Sequence, residues 1–294
     1  MRVFVAGAGG FIGAGICGML SAAGAVVLGH VRSRDGDLSP DSLPGGVDAV
    51  VNAAGRLGRP GAGPDEMEAS NVRPAEVLGR FCASQSVPLV HISTPGVCGL
   101  RPGASEDCPP APPGPYEESK ARAERMLSGS MPAALLTVLR PDFVYGPGDG
   151  HKLALFRQAE RGWFPLVGSG GARIRPTFVD DCARAVMEAL PGGILGPGTW
   201  NIAGPEVLPF REVVACAARS LGRRTLLIPV PRLLLRAALA LGPLAPVSLS
   251  RGRLELFGTD HWVDTSKAEN AGFVPRWRLA AGMEATVRWI RERK

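Results

Sequence analysis

A chain of 294 residues with 45% hydrophobic content can bury one large core or two interlocked ones, and its composition is that of a soluble globular protein. The net charge of +6 comes from dispersed basic residues with few aromatics and no nucleic-acid motif among them, so nucleic acid is not an expected partner. Six cysteines without a C-x-x-C pair or a Cys/His cluster signal neither a disulfide framework nor a metal site, which points to a reducing, cytoplasmic compartment.

The chain opens "RVFVAGAGGFIGAGICGMLSAAGAVVLGHVRSR". An apolar run over 2–6 reads as a buried strand, 11–23 as a helix of small and apolar residues, and 25–31 as a second strand. No room for a signal peptide is expected ahead of that first strand. Between strand and helix stand Gly7, Gly10 and Gly13, in the context that a phosphate-binding turn requires. Without side chains the backbone can approach a pyrophosphate, and the helix N-terminus offers free N–H donors and a positive dipole end. After the second strand, Val31 falls where many NAD-binding folds place an acid for the ribose, and Arg32 and Arg34 follow. Arginine favours a 2′-phosphate, so NADP is the expected cofactor, with NAD as the alternative.

Further buried strands are expected at 49–52, 89–93 and 135–140, separated by helices near 65–85 and 117–129. Strand alternating with helix predicts an α/β fold with a doubly wound parallel sheet of Rossmann type. The string "GPYEESKARAE" puts Tyr116 and Lys120 four apart, on one helical face. That spacing alone describes a surface pair as readily as a catalytic one.

Past Tyr145 the pattern loosens, with helices near 151–161, 180–190, 209–221 and 279–292. The expected division is a dinucleotide-binding domain over 1–147, with 173–203 returning to its sheet, and a smaller, discontinuous C-terminal substrate domain formed by 148–172 and 204–294. The apolar stretch 226–249 is broken by four prolines, Arg232 and Arg236, which argues against a spanning helix and integral membrane association. A short helix over 231–241, packing its apolar side on a pocket or neighbour, is expected instead, and a weak peripheral membrane contact stays open. His91 reads as a buried or edge histidine, Asp180 and Asp181 as helix caps, and Trp163 and Phe164 as core.

With the glycine turn, "VNAAG" (51–55), "NVRPAEVL" (71–78), "ISTPGVCG" (92–99), "PYEESK" and "LRPDFVYGPGDG" (139–150) in order, the chain resembles the extended short-chain dehydrogenase/reductase family, in its epimerase/dehydratase branch. "TFVDDCARAV", "WNIAG" and "VDTSKAENAGFVPRW" look like that branch's later landmarks. The resemblance implies a catalytic set of Thr94, Tyr116 and Lys120. It implies cofactor contacts from Gly7, Gly10, Phe11, Ile12, Gly13, Arg32, Asp37 and Leu38. The same holds for Ala53, Ala54, Gly55, Ser93, Tyr116, Lys120, Pro141, Phe143 and Val144, and a homodimer is implied as well. Two departures stand out: Cys98 replaces the family's usual tyrosine, and only a short stretch follows Arg32 where the family inserts a helix and a third strand, so either that strand is lacking or residues 35–46 cross as a loop.

Hydride transfer at a secondary alcohol or ketone needs a group that takes or returns the hydroxyl proton. A nearby ammonium, aided by the positive charge of the oxidised nicotinamide, is expected to lower the phenol's pKa from near 10. Family members of this kind act on nucleotide sugars, as epimerases or dehydratases, or on apolar alcohols and ketones, including steroid-like and flavonoid-like molecules. Where the sugar enzymes carry a diphosphate-gripping arginine this chain has Ile174, between Arg173 and Arg175, and "TPGV" lacks the dehydratases' acidic pair. The expectation is an NAD(P)-dependent oxidoreductase acting on a hydrophobic hydroxy or keto compound. A nucleotide-sugar epimerase is the alternative, and a non-catalytic dinucleotide-binding sensor or assembly subunit the second one.

Overall fold

A computed structural model describes residues 1–58, 63–240 and 251–293, the side chains of 251–253 excepted. Its centre is a parallel sheet of six strands: β1 (Arg2–Ala6), β2 (Val26–His30), β3 (Ala49–Asn52), β4 (Leu89–Ile92), β5 (Leu136–Pro141) and β6 (Gly198–Ile202). They lie in the order β2-β1-β3-β4-β5-β6. Successive side chains point to opposite faces, so β1 sends Val3 and Val5 one way and Phe4 and Ala6 the other. The first face is covered by α1 (Phe11–Ala22) and by a helix of the second half, Val179–Ala189. The second is covered by α2 (Arg73–Gln85) and α3 (Pro115–Ser130), through Leu78, Cys82, Ala123 and Leu127. Burial on both faces is why these strands read as continuous Val/Ile/Leu runs.

No strand stands between β2 and β3. Residues 31–48 hold one helical turn, Arg32–Asp35, and a 3-10 turn, Pro40–Ser42, which leaves β2 as the edge of the sheet. The chain runs from β1 outward to β2 and then returns to β3 on β1's other side. The crevice beyond the carboxyl ends of β1 and β3 is therefore the switch point at which such sheets bind ligands.

The second half adds a separate apolar cluster, including Tyr145, Phe156, Leu166, Ile174, Phe178, Val213 and Met283. Helices Phe210–Ser220 and Leu279–Arg291 pack there, and 163–167 pairs in parallel with 226–230. Two expectations need correction. Trp163 is not core, because its strand turns that side chain outward, while Phe164 faces in, half-buried against Phe210. Asp181 does not cap its own helix; its carboxylate accepts the backbone N–H groups of Arg276 and Trp277 and pairs with Arg184, tying the helix to a later loop. The helix Arg232–Ala240 has no fully buried residue, and its packed side is the half-buried row of Leu235, Ala238 and Leu239; 241–249 of the same apolar stretch lie outside the described residues. Among the described residues, no helix is long and apolar enough to cross a membrane, and no group of three or more possible metal ligands occurs.

Candidate active site

The site assembles at the carboxyl end of the sheet from four successive loop or helix starts. After β1, Gly7 adopts φ +80°, and a Cβ there would sit 2.6 Å from the carbonyl oxygen of Ala53. A Cβ on Gly13 would lie 2.1 Å from the carbonyl oxygen of Gly7, so only glycine lets turn and helix close on each other. Gly10 is the N-cap of α1 and no side chain caps it, which leaves the first-turn N–H groups unclaimed by side chains. This cradle fits a pyrophosphate. Phe11 stands at the helix start beside Gly148, and Ile12 packs into the core behind it.

After β3, the segment Ala53, Ala54 and Gly55 runs against the glycine turn on one side and α3 on the other. A Cβ on Gly55 would meet the Nζ of Lys120 at 3.1 Å and the Oδ1 of Asn71 at 3.2 Å. Asn71 sits in a π-helical turn, Glu68–Val72. It accepts the N–H of Arg56 at 2.7 Å, and its amide donates to the Ser119 hydroxyl at 2.8 Å. Such turns recur at functional sites.

Proline at N1 and Gly114 at the N-cap start α3 abruptly, placing Tyr116 in its first turn and Lys120 one turn on. Lys120 is buried, and its ammonium donates to the carbonyl oxygen of Ile92 at 2.8 Å, which ties α3 to the end of β4. Burial brings its pKa down to about 8. Tyr116 is half-buried. Burial first, then the neighbouring Glu117 carboxylate, pushes its phenol above the ordinary value. The expected lowering by Lys120 is not what the protein alone provides: the phenol stays protonated.

Thr94, at the end of β4, accepts the N–H of Gly96 at 3.3 Å and keeps its own proton free to donate. A Cβ on Gly96 would lie 3.5 Å from Thr94 Oγ1 and 2.7 Å from Glu117 Cγ, so glycine is what lets the first turn of α3 approach Thr94. The Ser93 hydroxyl is spent inside the protein on Glu124, leaving its backbone for any cofactor contact. Glu124 takes a two-pronged bond from Arg140, at 3.0 and 2.6 Å, in a pair that is almost wholly buried. Arg140 also reaches Cys98 Sγ and the carbonyl oxygen of Glu106. Cys98 thus replaces the family's tyrosine with a small buried side chain in the second layer.

Pro141, Phe143 and Val144 follow at the end of β5. Phe143 holds φ +35°, a conformation rare for a bulky residue, and packs edge-on to Phe210. Val144 pairs with Thr177. Between them Asp142 is buried, and burial raises its carboxyl to about 7 despite the backbone N–H and charge of Arg175.

At the adenosine end, Arg32 pairs with Asp37 at 2.6 Å and donates to Ser70 at 3.4 Å. Both partners of the ion pair are well exposed. Leu38 packs against the sheet's second face. Arg34 is turned back onto Asp35 and the carbonyl oxygen of Gly29, away from the cofactor crevice. His91 is buried, with Nδ1 3.1 Å from the Asn52 amide and no partner for Nε2; burial and the Lys120 charge hold its pKa well below the usual imidazole range. It is a neutral core histidine. Of the residues around the site, Asn71, Glu124, Arg140 and Asp142 were not singled out from sequence. A charged Arg140 inside an apolar strand run was the available signal, since a buried guanidinium demands a partner.

A six-stranded parallel sheet with a glycine cradle at its switch point and a Tyr-x-x-x-Lys helix reaching over to β4 defines the extended short-chain dehydrogenase/reductases, NAD(P)-dependent enzymes. The chain belongs to the NAD dependent epimerase/dehydratase family, whose model matches residues 3–203. It is similar to a 2-alkyl-3-oxoalkanoate reductase of Stenotrophomonas maltophilia, at 29% identity over 96% of this chain and 97% of that protein. Two solved structures share the fold over nearly the full length. MoeE5 in complex with UDP-glucuronic acid and NAD is 24% identical, with a TM-score of 0.77 and 100% of both chains covered. The human epimerase family protein SDR39U1 with NADPH is 21% identical, with a TM-score of 0.80 and 98% and 99% covered.

Proposed function

We propose that this chain reduces a ketone on a hydrophobic hydroxy or keto compound, with NADP as the cofactor and Thr94, Tyr116 and Lys120 as the catalytic set. The observation that carries the substrate class is the fate of the two arginines beside Ile174. Arg173 pairs with Asp260, and Arg175 is tied to the carbonyl oxygens of Gly204 and Val263 and to Glu269, while Ile174 is fully buried between them. Ile174 offers no charge and Arg175 is held by three partners, so neither is left to grip a sugar diphosphate, while Arg173 stands in an exposed pair. Phe143, Phe210, Phe164 and Phe257 instead form a run of ring contacts beyond the end of β5. A lipophilic 3-oxo acid of the kind named for the Stenotrophomonas relative suits such a wall, as would a steroid-like or flavonoid-like ketone.

When bound, a reduced nicotinamide supplies the hydride. Tyr116, protonated and desolvated, gives its proton to the carbonyl oxygen as negative charge develops there, and Thr94 donates a second hydrogen bond to the same oxygen. Lys120, at about 8, lies beside Gly55, where it can hold the ribose and return a proton to the phenol. Arg32 exchanges its exposed carboxylate partner for the 2′-phosphate. The described residues of 148–172 and 204–293 are assigned the substrate side.

The test is NADPH consumption with 2-alkyl-3-oxoalkanoates, a steroid ketone and a flavonoid ketone, run beside interconversion of UDP-sugars with bound NAD. Reduction of an apolar ketone with no sugar interconversion is expected. Epimerised UDP-sugar without net cofactor turnover would overturn the assignment.

A further inference from the structure

Five of the large apolar residues left uncovered in the second half, Trp163, Leu226, Ile228, Leu233 and Leu234, stand on one strand pair and the helix that follows it. Strands 163–167 and 226–230 pair in parallel, with Leu226 opposite Trp163 and Ile228 opposite Pro165. Trp163 is 45% exposed and Leu226 67%, and Ile228 and Pro165 are exposed beside them. The side chains between, Phe164, Leu166 and Leu227, turn inward onto the core, so the outward face is apolar by alternation rather than by accident of a loop. The helix Arg232–Ala240 follows directly and shows Leu233 77% and Leu234 60% exposed. Arg232 and Val167 both lie 3.0 Å from one point above Gly258, which sets the start of the helix against the same side of the 163–167 strand. Leu235, Ala238 and Leu239 make the half-buried stripe of this helix, so Leu233 and Leu234 are apolar residues left outside it.

Charge says what fits there. The segments 161–167 and 223–240 contain Arg161, Arg223, Arg224, Arg232 and Arg236, all exposed, and no aspartate or glutamate. Arg236 reaches Glu255 at 3.4 Å. A second copy of this chain meeting the patch about a twofold axis would set like charge against like. An anionic bilayer offers phosphates to the arginines and an acyl boundary to the leucines, and a tryptophan at the rim suits the headgroup level. We infer that this face rests on the surface of an anionic lipid membrane, lying on it rather than crossing it.

The probe is vesicles of phosphatidylcholine alone and of phosphatidylcholine with about a third phosphatidylglycerol, mixed with the full chain and sedimented at low and high salt. Binding to the anionic vesicles at low salt, largely lost at high salt, is expected. Arg223→Gln/Arg224→Gln should weaken that binding by at least about tenfold, and Leu233→Glu/Leu234→Glu should abolish it, with melting temperature and NADPH binding kept in both. Should the leucine variant fail to fold, the arginine variant still decides, since those two side chains lie on an exposed turn. Failure of the wild type to sediment with anionic vesicles overturns the inference, as does binding that the arginine variant leaves unchanged. So does a wild-type dimer that the leucine variant splits while vesicles remain unbound.

Discussion

The nucleotide-binding half and the later half of this chain bury apolar surface by different means. In the first, five strands stack Val, Ile and Leu between two helical layers, and the buried charges enter where a backbone or a charged partner receives them, as with Lys120 on Ile92 and Arg140 on Glu124. In the later half, short strand pairs and aromatic contacts close a cluster on one side and leave Trp163, Leu226 and Leu233 in the open on the other. The contrast teaches where to look for chemistry and where for recognition: a site needing tight positions is built on the doubly covered sheet, and what the molecule meets is met by the singly covered one.

If the first half owes its geometry to buried polar ties, breaking one should cost more than any surface change. Glu124→Gln leaves Arg140 charged and half-satisfied in the interior, and a loss of about 3–5 kcal/mol is expected in urea denaturation. A loss within 1 kcal/mol would mean that water reaches the pair. Tyr116→Phe is next: turnover should fall by at least about two orders of magnitude while cofactor binding is kept. Near-normal turnover would move the proton donor elsewhere in the first half.

Asp142, at the junction of the two regions, gives a gentler, pH-dependent effect. Its folded-state pKa, about 7, lies above the ordinary 3.8, so between those values the native state holds a proton that the unfolded chain has lost. Its contribution to stability is therefore present at pH 4, declines as pH rises and is gone above 7. Asp142→Asn should flatten that decline and be more stable relative to wild type at pH 8 than at pH 4, as read from denaturation midpoints across pH. The smallest change expected is Arg32→Ala, which should reduce the preference for NADP over NAD by roughly tenfold, measured as two dissociation constants. An unchanged ratio would remove Arg32 from the cofactor site.

What could be read from sequence follows the same division. The strands at 2–6, 49–52 and 89–92 were legible because burial on both faces demands uninterrupted apolar runs, and the turn at Gly7 because its strand and helix flank it directly. The shortened stretch before Ala49, set against the resembled family, left open a lost strand or a crossing loop, and the structure has no strand there. The direction of Trp163 was not legible, since an aromatic in a five-residue strand looks the same facing in or out until its partner strand is known, and that partner lies some sixty residues on. Nor was the fork between Arg140 and Glu124, because a helix position and a strand position become neighbours only through the fold. The rise in the Tyr116 phenol was not legible for a related reason: burial, its chief cause, is set by the fold.

The sheet that stops at β2 leaves one end of the dinucleotide crevice with a thin rim, a helical turn and an exposed ion pair where a strand and its helix would form a wall. A reductase must discharge spent coenzyme after every catalytic cycle, whereas an isomerising relative can keep the same molecule for life. A low doorstep there would ease departure, as the proposed reduction requires of an enzyme that trades its coenzyme with the surrounding pool.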